Sequence, residues 1–128
     1  MDEVERREVL EKQLTMTPMT WAQMRARGVT ESTLLKVDLF FYAPTEAHAR
    51  ALAGELRDDH GLECDVQPRD EVFSVQAVAA ERTYTESALV GLVRTMCSVG
   101  FKHDSEFDGW GAPIPSTPIP RKPWWKVW

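Results

Sequence analysis

The stretch Leu34-Leu35-Lys36-Val37-Asp38-Leu39-Phe40-Phe41-Tyr42-Ala43-Pro44-Thr45 decides how the rest of the chain is read. Leu35, Val37, Leu39 and Phe41 share one face of an extended segment over Leu34–Tyr42. Lys36 and Asp38 fall on the other face, where Phe40 and Tyr42 add apolar surface. Pro44 breaks the strand, and Thr45 is placed to cap a helix running to about His60. Ala49, Leu52 and Leu56 form its inner side, and Gly61 ends it. A half-buried strand leading straight into an amphipathic helix predicts a mixed fold in which helices cover a sheet.

Downstream the pattern turns to hairpin and helix. Leu62, Cys64 and Val66 alternate with Glu63, Asp65 and Gln67, and after a polar turn at Pro68-Arg69-Asp70-Glu71 a strand over Phe73–Ala80 follows. There Phe73, Val75 and Ala77 alternate with Ser74 and Gln76. Thr83 and Glu86 have capping-box spacing ahead of a helical stripe of Leu89, Leu92, Val93, Met96 and Cys97, which Gly100 is expected to end. Phe107-Asp108-Gly109-Trp110 supplies a short last strand.

Upstream, residues 2–15 carry only Val4, Val9, Leu10 and Leu14 as apolar markers, a thin stripe that predicts a marginal, solvated helical arm. A firmer helix is expected to start at Thr20, capped with Gln23 and stopped near Gly28, with Met19, Trp21 and Met24 as contact residues. The resulting order is helix, β, α, β, β, α, β. It predicts an α+β fold: a ferredoxin-like α/β sandwich, an antiparallel sheet with helices on one face. Three parts are expected: an N-terminal helical arm over 1–17, the folded domain over 18–112, and a Pro/Trp-rich C-terminal tail over 113–128.

Size and charge narrow the function. A chain of 128 residues and 14.6 kDa fits one domain with a real core. The net charge is −5, but Arg121, Lys122 and Lys126 lie at the end, so residues 1–120 hold twelve basic against twenty acidic side chains, or −8. Affinity for nucleic acid comes largely from neutralising phosphates, so direct nucleic-acid binding is not expected. The apolar runs are too short to span a bilayer, and the charged start, Met1-Asp2-Glu3-Val4-Glu5-Arg6-Arg7, is unlike a signal peptide. A cytoplasmic location with Cys64 and Cys97 reduced is therefore expected.

Glu106-Phe107-Asp108-Gly109-Trp110 resembles the Tyr-Asp-Gly-Trp signature that closes members of the ribonuclease E inhibitor family, also called regulator of ribonuclease activity B. The resemblance extends upstream through Leu34–Tyr42, the helix Thr45–Arg57 and the Gly61–Val66 strand, and covers about residues 20 to 112. Phe107 stands where the family has Tyr, and the Pro/Trp tail has no counterpart in it. The resemblance implies a small, non-catalytic cytoplasmic protein that binds the endoribonuclease ribonuclease E and changes which RNAs it processes. Within the signature Asp108, Gly109 and Trp110 are expected to be structural. Trp110 would seal the core edge, Gly109 would permit a bulge or a positive φ, and Asp108 would accept backbone hydrogen bonds.

No enzyme is expected. CxxC, HExxH and Gly-rich phosphate loops are missing, the serines lack a nucleophile-elbow context, and the sequence contains no Asn. The pairs His60/Cys64 and Cys97/His103 have ligand chemistry, but both cysteines fall on core-facing stripes, so neither a metal nor another cofactor is expected. His48 reads as a polar-face residue. The expected function is regulation by direct contact with a protein partner, ribonuclease E or another ribonuclease. Two alternatives stand beside it: a small-ligand module with a pocket near Trp21 and Trp110, and a structural interaction domain anchored by its tail. That tail places Trp124, Trp125 and Trp128 among Arg121, Lys122 and Lys126. These six residues either fold back on the domain or meet another surface, a protein partner or a second copy of the chain in preference to a membrane interface.

Overall fold

The protein is described here by a computed structural model over residues 2–113; the tail residues Arg121, Lys122, Trp124, Trp125, Lys126 and Trp128 lie outside the described residues. Three helices and a four-stranded antiparallel sheet are present among them. In chain order they are α1 Glu3–Ala26, β1 Asp38–Ala43, α2 Glu46–His60, β2 Glu63–Arg69, β3 Val72–Val78, α3 Glu86–Lys102 and β4 Glu106–Gly111. The sheet order is β2-β3-β1-β4, with β1 at the centre paired to β3 and β4.

The alternation read from β1 sets the core. Leu39, Phe41 and Ala43 are buried and face Val75, Ala77 and Phe107 from the neighbouring strands; the Phe41 and Phe107 rings meet at 5.2 Å between centroids. Above them α2 contributes Ala49, Leu52, Ala53 and Leu56, and α3 contributes Leu89, Val93, Met96 and Cys97, all in one continuous cluster. Leu35 and Val37 are also buried, but the regular strand begins only at Asp38. Leu35 instead makes an isolated bridge to Arg82, and Leu34 is 50% exposed.

Local chemistry explains the element ends. Thr45 caps α2 by accepting from the His48 amide, and Gly61 closes that helix in the left-handed region at φ 67°. For α3 the cap is Thr85, whose hydroxyl accepts from the Ala88 amide, and not the expected Thr83; Glu86 is already the first helical residue and cannot reach back to Thr83 as a capping box needs. Pro68 and Arg69 belong to β2, so the hairpin turns over Asp70 and Glu71, with Asp70 at φ 55°. Among the described residues β2 pairs only with β3, and an outer strand tolerates the missing Pro68 amide.

Gly100 does not end α3. It is buried inside the helix, where an added Cβ would come within 3.0 Å of the Ser105 carbonyl oxygen and 3.4 Å of the Phe41 ring. Close packing, and not chain termination, explains that glycine.

The largest departure is α1. One helix of 24 residues replaces the expected solvated arm and separate helix from Thr20, and it runs through Pro18. Thr20 lies inside it, its hydroxyl donating to the Met16 carbonyl. Helix propensity yields here to tertiary anchoring. Arg6 donates to the Phe101 carbonyl, Gln13 donates to the Phe107 carbonyl, and the Trp110 indole donates to Thr17 Oγ1 at 3.2 Å. Trp21 and Met24 are buried as expected, whereas Met19 is 61% exposed.

Candidate functional site

The inner face of the sheet is filled, so the candidate site must be sought on the outer face. Asp38, Phe40 and Tyr42 of β1 point there, between Ser74 and Gln76 of β3 and the Glu106 and Gly109 positions of β4. Glu63, Asp65, Gln67 and Arg69 extend that face on β2. Five carboxylates, Asp38, Glu63, Asp65, Glu106 and Asp108, thus share the outer face with Phe40 and Tyr42, Glu63 and Asp65 lying one strand beyond Ser74 and Gln76, with Arg69 as the one basic side chain of these strands on that face.

Beside this face, α1 raises a wall. Gln13, Met16, Met19, Thr20 and Gln23 form one side of a groove of about 790 Å³, and Phe40, Tyr42, Ser74, Gln76, Asp108 and Trp110 line the rest of it together with Arg69. Met16 and Met19, one turn apart, are exposed to 45% and 61%. Methionine side chains on a groove wall are flexible and polarizable, which suits contact with aromatic groups. The sequence pointed to a pocket near Trp21 and Trp110; this groove is lined by Trp110 and not by Trp21.

The Asp108-Gly109-Trp110 triplet shapes the groove's edge. β4 pairs Gly109 with Phe40 and Phe107 with Phe41, so Asp108 is the extra residue of a bulge. Gly109 has φ 137°, which residues with a side chain rarely adopt. Trp110 is buried against α1, held by Thr17, with only its edge on the groove. Asp108 remains exposed and takes no backbone hydrogen bond from the described residues; partial burial pushes its carboxyl pKa up against the opposing pull of Lys12 and Arg69.

The histidines and cysteines go elsewhere. Glu55 of α2 receives Lys102 Nζ at 2.9 Å and lies 3.0 Å from His103 Nε2, both from the end of α3, while His60 Nε2 sits 4.0 Å away. The Lys102 and His103 hydrogen bonds hold the Glu55 carboxyl below its ordinary range. This cluster pins α2 to α3, and the Lys102 ammonium on the carboxylate opposes a metal cation there. Cys97 is buried in the core, its thiol pushed up to about 11 by desolvation, and Cys64 is half-buried with its thiol also raised by burial. His48 is half-buried, its Nδ1 2.6 Å from the Thr45 hydroxyl. Among the described residues no group of three or more His, Cys, Asp or Glu is arranged to hold a metal ion, and no helix is long and apolar enough to cross a membrane.

Sequence reasoning located Trp110 and the triplet and put Phe40 and Tyr42 on the strand's other face, but it did not single that pair out as site residues. Their alternation with Leu39 and Phe41 carried that signal. It also missed Met16 and Gln13, because residues 2–15 read as a solvated arm and Met16 fell between the two predicted helices. A search among curated proteins returned no match. The family model described as regulator of ribonuclease activity B matches residues 15–112, a span that holds the bulged triplet, the outer face and most of the groove wall. On that match, which covers well over half of its length, the chain belongs to the regulator of ribonuclease activity B family, a family of non-catalytic regulators.

Proposed function

We propose that this chain is a protein-binding regulator of a ribonuclease, with ribonuclease E or an enzyme of its type as partner, and that it acts by direct contact through the outer face of the sheet. The carrying observation is an outer face that holds Phe40 and Tyr42 at its central strand and the carboxylates of Asp38, Glu63, Asp65, Glu106 and Asp108 across its strands, within a chain that matches the family over residues 15–112. Two aromatic side chains on a central strand also occur in RNA-binding sheets, but those sheets add basic side chains for phosphates. Here the surrounding charge has the opposite sign. It repels RNA and attracts a basic segment of a protein, while the aromatic pair supplies the apolar anchor such contacts need.

We read the fold as ferredoxin-like. In the order β2-β3-β1-β4, β1 and β2 run parallel on either side of β3 and are joined by α2, the split βαβ arrangement. The same reading places the protein in the cytoplasm, beside its ribonuclease.

The test pairs purified protein with ribonuclease E and a structured RNA substrate. Addition of the protein is expected to change the cleavage pattern, and Tyr42→Ala with Phe40→Ala to weaken that effect about tenfold or more. The protein alone is expected neither to cleave RNA nor to bind it tightly. Submicromolar, salt-sensitive RNA binding by the protein alone would overturn the reading, as would an unchanged cleavage pattern with every ribonuclease of this type.

A further inference from the structure

We propose that residues 114–128 fold back into the groove beside α1, seating Trp124, Trp125 and Trp128 against Met16, Met19, Phe40 and Tyr42, so that the free protein caps its own outer face. The geometry at the end of β4 starts the argument. The described chain leaves the sheet at Ala112 and Pro113, two and three residues beyond Trp110, which lines the groove. The remaining segment therefore begins at the groove and needs no path around the domain.

Reach does not limit it. Pro113, Pro115, Pro118 and Pro120 favour an extended arm, and the eleven steps from Pro113 to Trp124 span up to ~34 Å at ~3.1 Å per residue. The wall from Gln13 to Gln23 is ten helical steps, about 15 Å. Four strands at ~4.8 Å spacing are about 14 Å across. An arm of that length delivers the tryptophans to any point of the groove.

The chemistry then matches on both counts. Three indoles meet a wall of two exposed methionines and a floor with two aromatic rings; the groove's own charged lining is Asp108 and Arg69, and Arg121, Lys122 and Lys126 meet the carboxylates of Asp38, Glu63, Asp65 and Glu106 on the face around it. A short tether holds the cluster at an effective concentration on the order of 1 mM. An intrinsic Kd of about 100 µM would leave about nine-tenths of the molecules capped. A second copy of the chain offers the same groove only at its bulk concentration, so the segment of the same molecule is the favoured occupant.

Methionine methyl NMR reads this directly, with Met24 and Met96, both buried in the core, as internal controls. Ending the chain after Pro113 is expected to shift the Met16 and Met19 methyl signals and to leave Met24 and Met96 in place. A peptide of residues 114–128 is expected to restore them with a Kd on the order of 100 µM, and Met19→Glu to weaken that peptide about tenfold. Should the shortened chain move the Met24 and Met96 signals as well, the full chain carrying Trp124→Ser, Trp125→Ser and Trp128→Ser is expected to shift Met16 and Met19 alone. Unchanged Met16 and Met19 signals in that variant, or no response to about 1 mM peptide, would overturn the docking. Signals in the full chain that change with protein concentration would place the segment on a second copy and overturn it equally.

The capping consequence rests on the proposed function, whereas the methyl signals do not involve any ribonuclease. With about nine-tenths of the free protein capped, the shortened chain should bind the ribonuclease about tenfold more tightly than the full chain. Equal affinities would overturn the capping. Failure of both chains to bind, with the methyl shifts intact, would overturn the ribonuclease reading and leave the docking standing.

Discussion

On β1, Leu39, Phe41 and Ala43 are buried in the core shared with α2 and α3, whereas Phe40 and Tyr42, one step along the same strand, stand half-buried on the opposite face beside α1. The inner residues are aliphatic or aromatic wherever they fall, from Val75 and Ala77 to Phe107. The outer ones beside Phe40 and Tyr42 are mostly polar or acidic, among them Ser74, Gln76 and Glu106. A sheet face that only met water would not need two aromatic rings there, so the two faces of one strand serve different tasks: one holds the domain together and the other presents a surface.

The sharpest way to break that division is to remove one ring from each face. Phe41→Ala empties a fully buried position against Phe107 and is expected to cost about 3–5 kcal/mol by urea unfolding. If Phe40→Ala cost as much, the outer face would be core by another name. Gly100→Ala probes the inner layer from the helix side. Its Cβ would press on the Ser105 carbonyl and the Phe41 ring, and a loss of about 1–3 kcal/mol is expected; a gain, as helix propensity alone would give, would show that the packing can relax.

On the outer face, Phe40→Ala and Tyr42→Ala are each expected to change stability by about 1 kcal/mol or less while weakening ribonuclease binding far more. Calorimetry of folding and a binding titration on the same samples would separate the two effects. Equal loss of both would return these residues to a structural role.

The smallest effect concerns the clamp that closes the inner layer. The Glu55 carboxyl is held below its ordinary range by Lys102 and His103, so its contribution is present above the carboxylate's unfolded pKa and disappears as pH falls through the depressed folded value. Glu55→Gln should lower stability by about 1 kcal/mol or less at neutral pH. The difference from the unsubstituted protein should close as the pH is lowered through that range. A difference that persists in acid would mean that the carboxylate's charge is not what joins α2 to α3.

Much of this architecture was legible because short-range patterns and the final packing agree. The alternation around Leu39 and Phe41, the Thr45 cap and the Leu89–Cys97 stripe each have one consistent reading, and the structure holds all of them. The illegible part is α1. Its N-terminal half has few apolar residues and Pro18 interrupts it, so nothing local joins the two stretches into one packed helix; its anchors, Phe101, Phe107 and Trp110, lie more than ninety residues away in the chain. The groove was hidden for the same reason, since one wall belongs to that helix. Gly100 misled in the opposite direction: a glycine near a helix end reads as a stop, and only the carbonyl of Ser105 at its back shows otherwise.

One contact of α1 reaches beyond the groove. β4 is an outer strand, and Gln13 takes up its Phe107 carbonyl at 3.4 Å while the helix lies along it. The other outer strand, β2, is defended by different means: Pro68 offers no amide, and exposed Glu63, Asp65 and Arg69 discourage an incoming strand. Trimming the protein to the matched span 15–112 would discard Gln13 and the three turns before it, although every strand would remain intact. The bared β4 would then be free to template another molecule, and such a fragment should self-associate edge to edge as its concentration rises. In that outcome a helix that reads as a dispensable appendage would be what keeps this sheet at four strands.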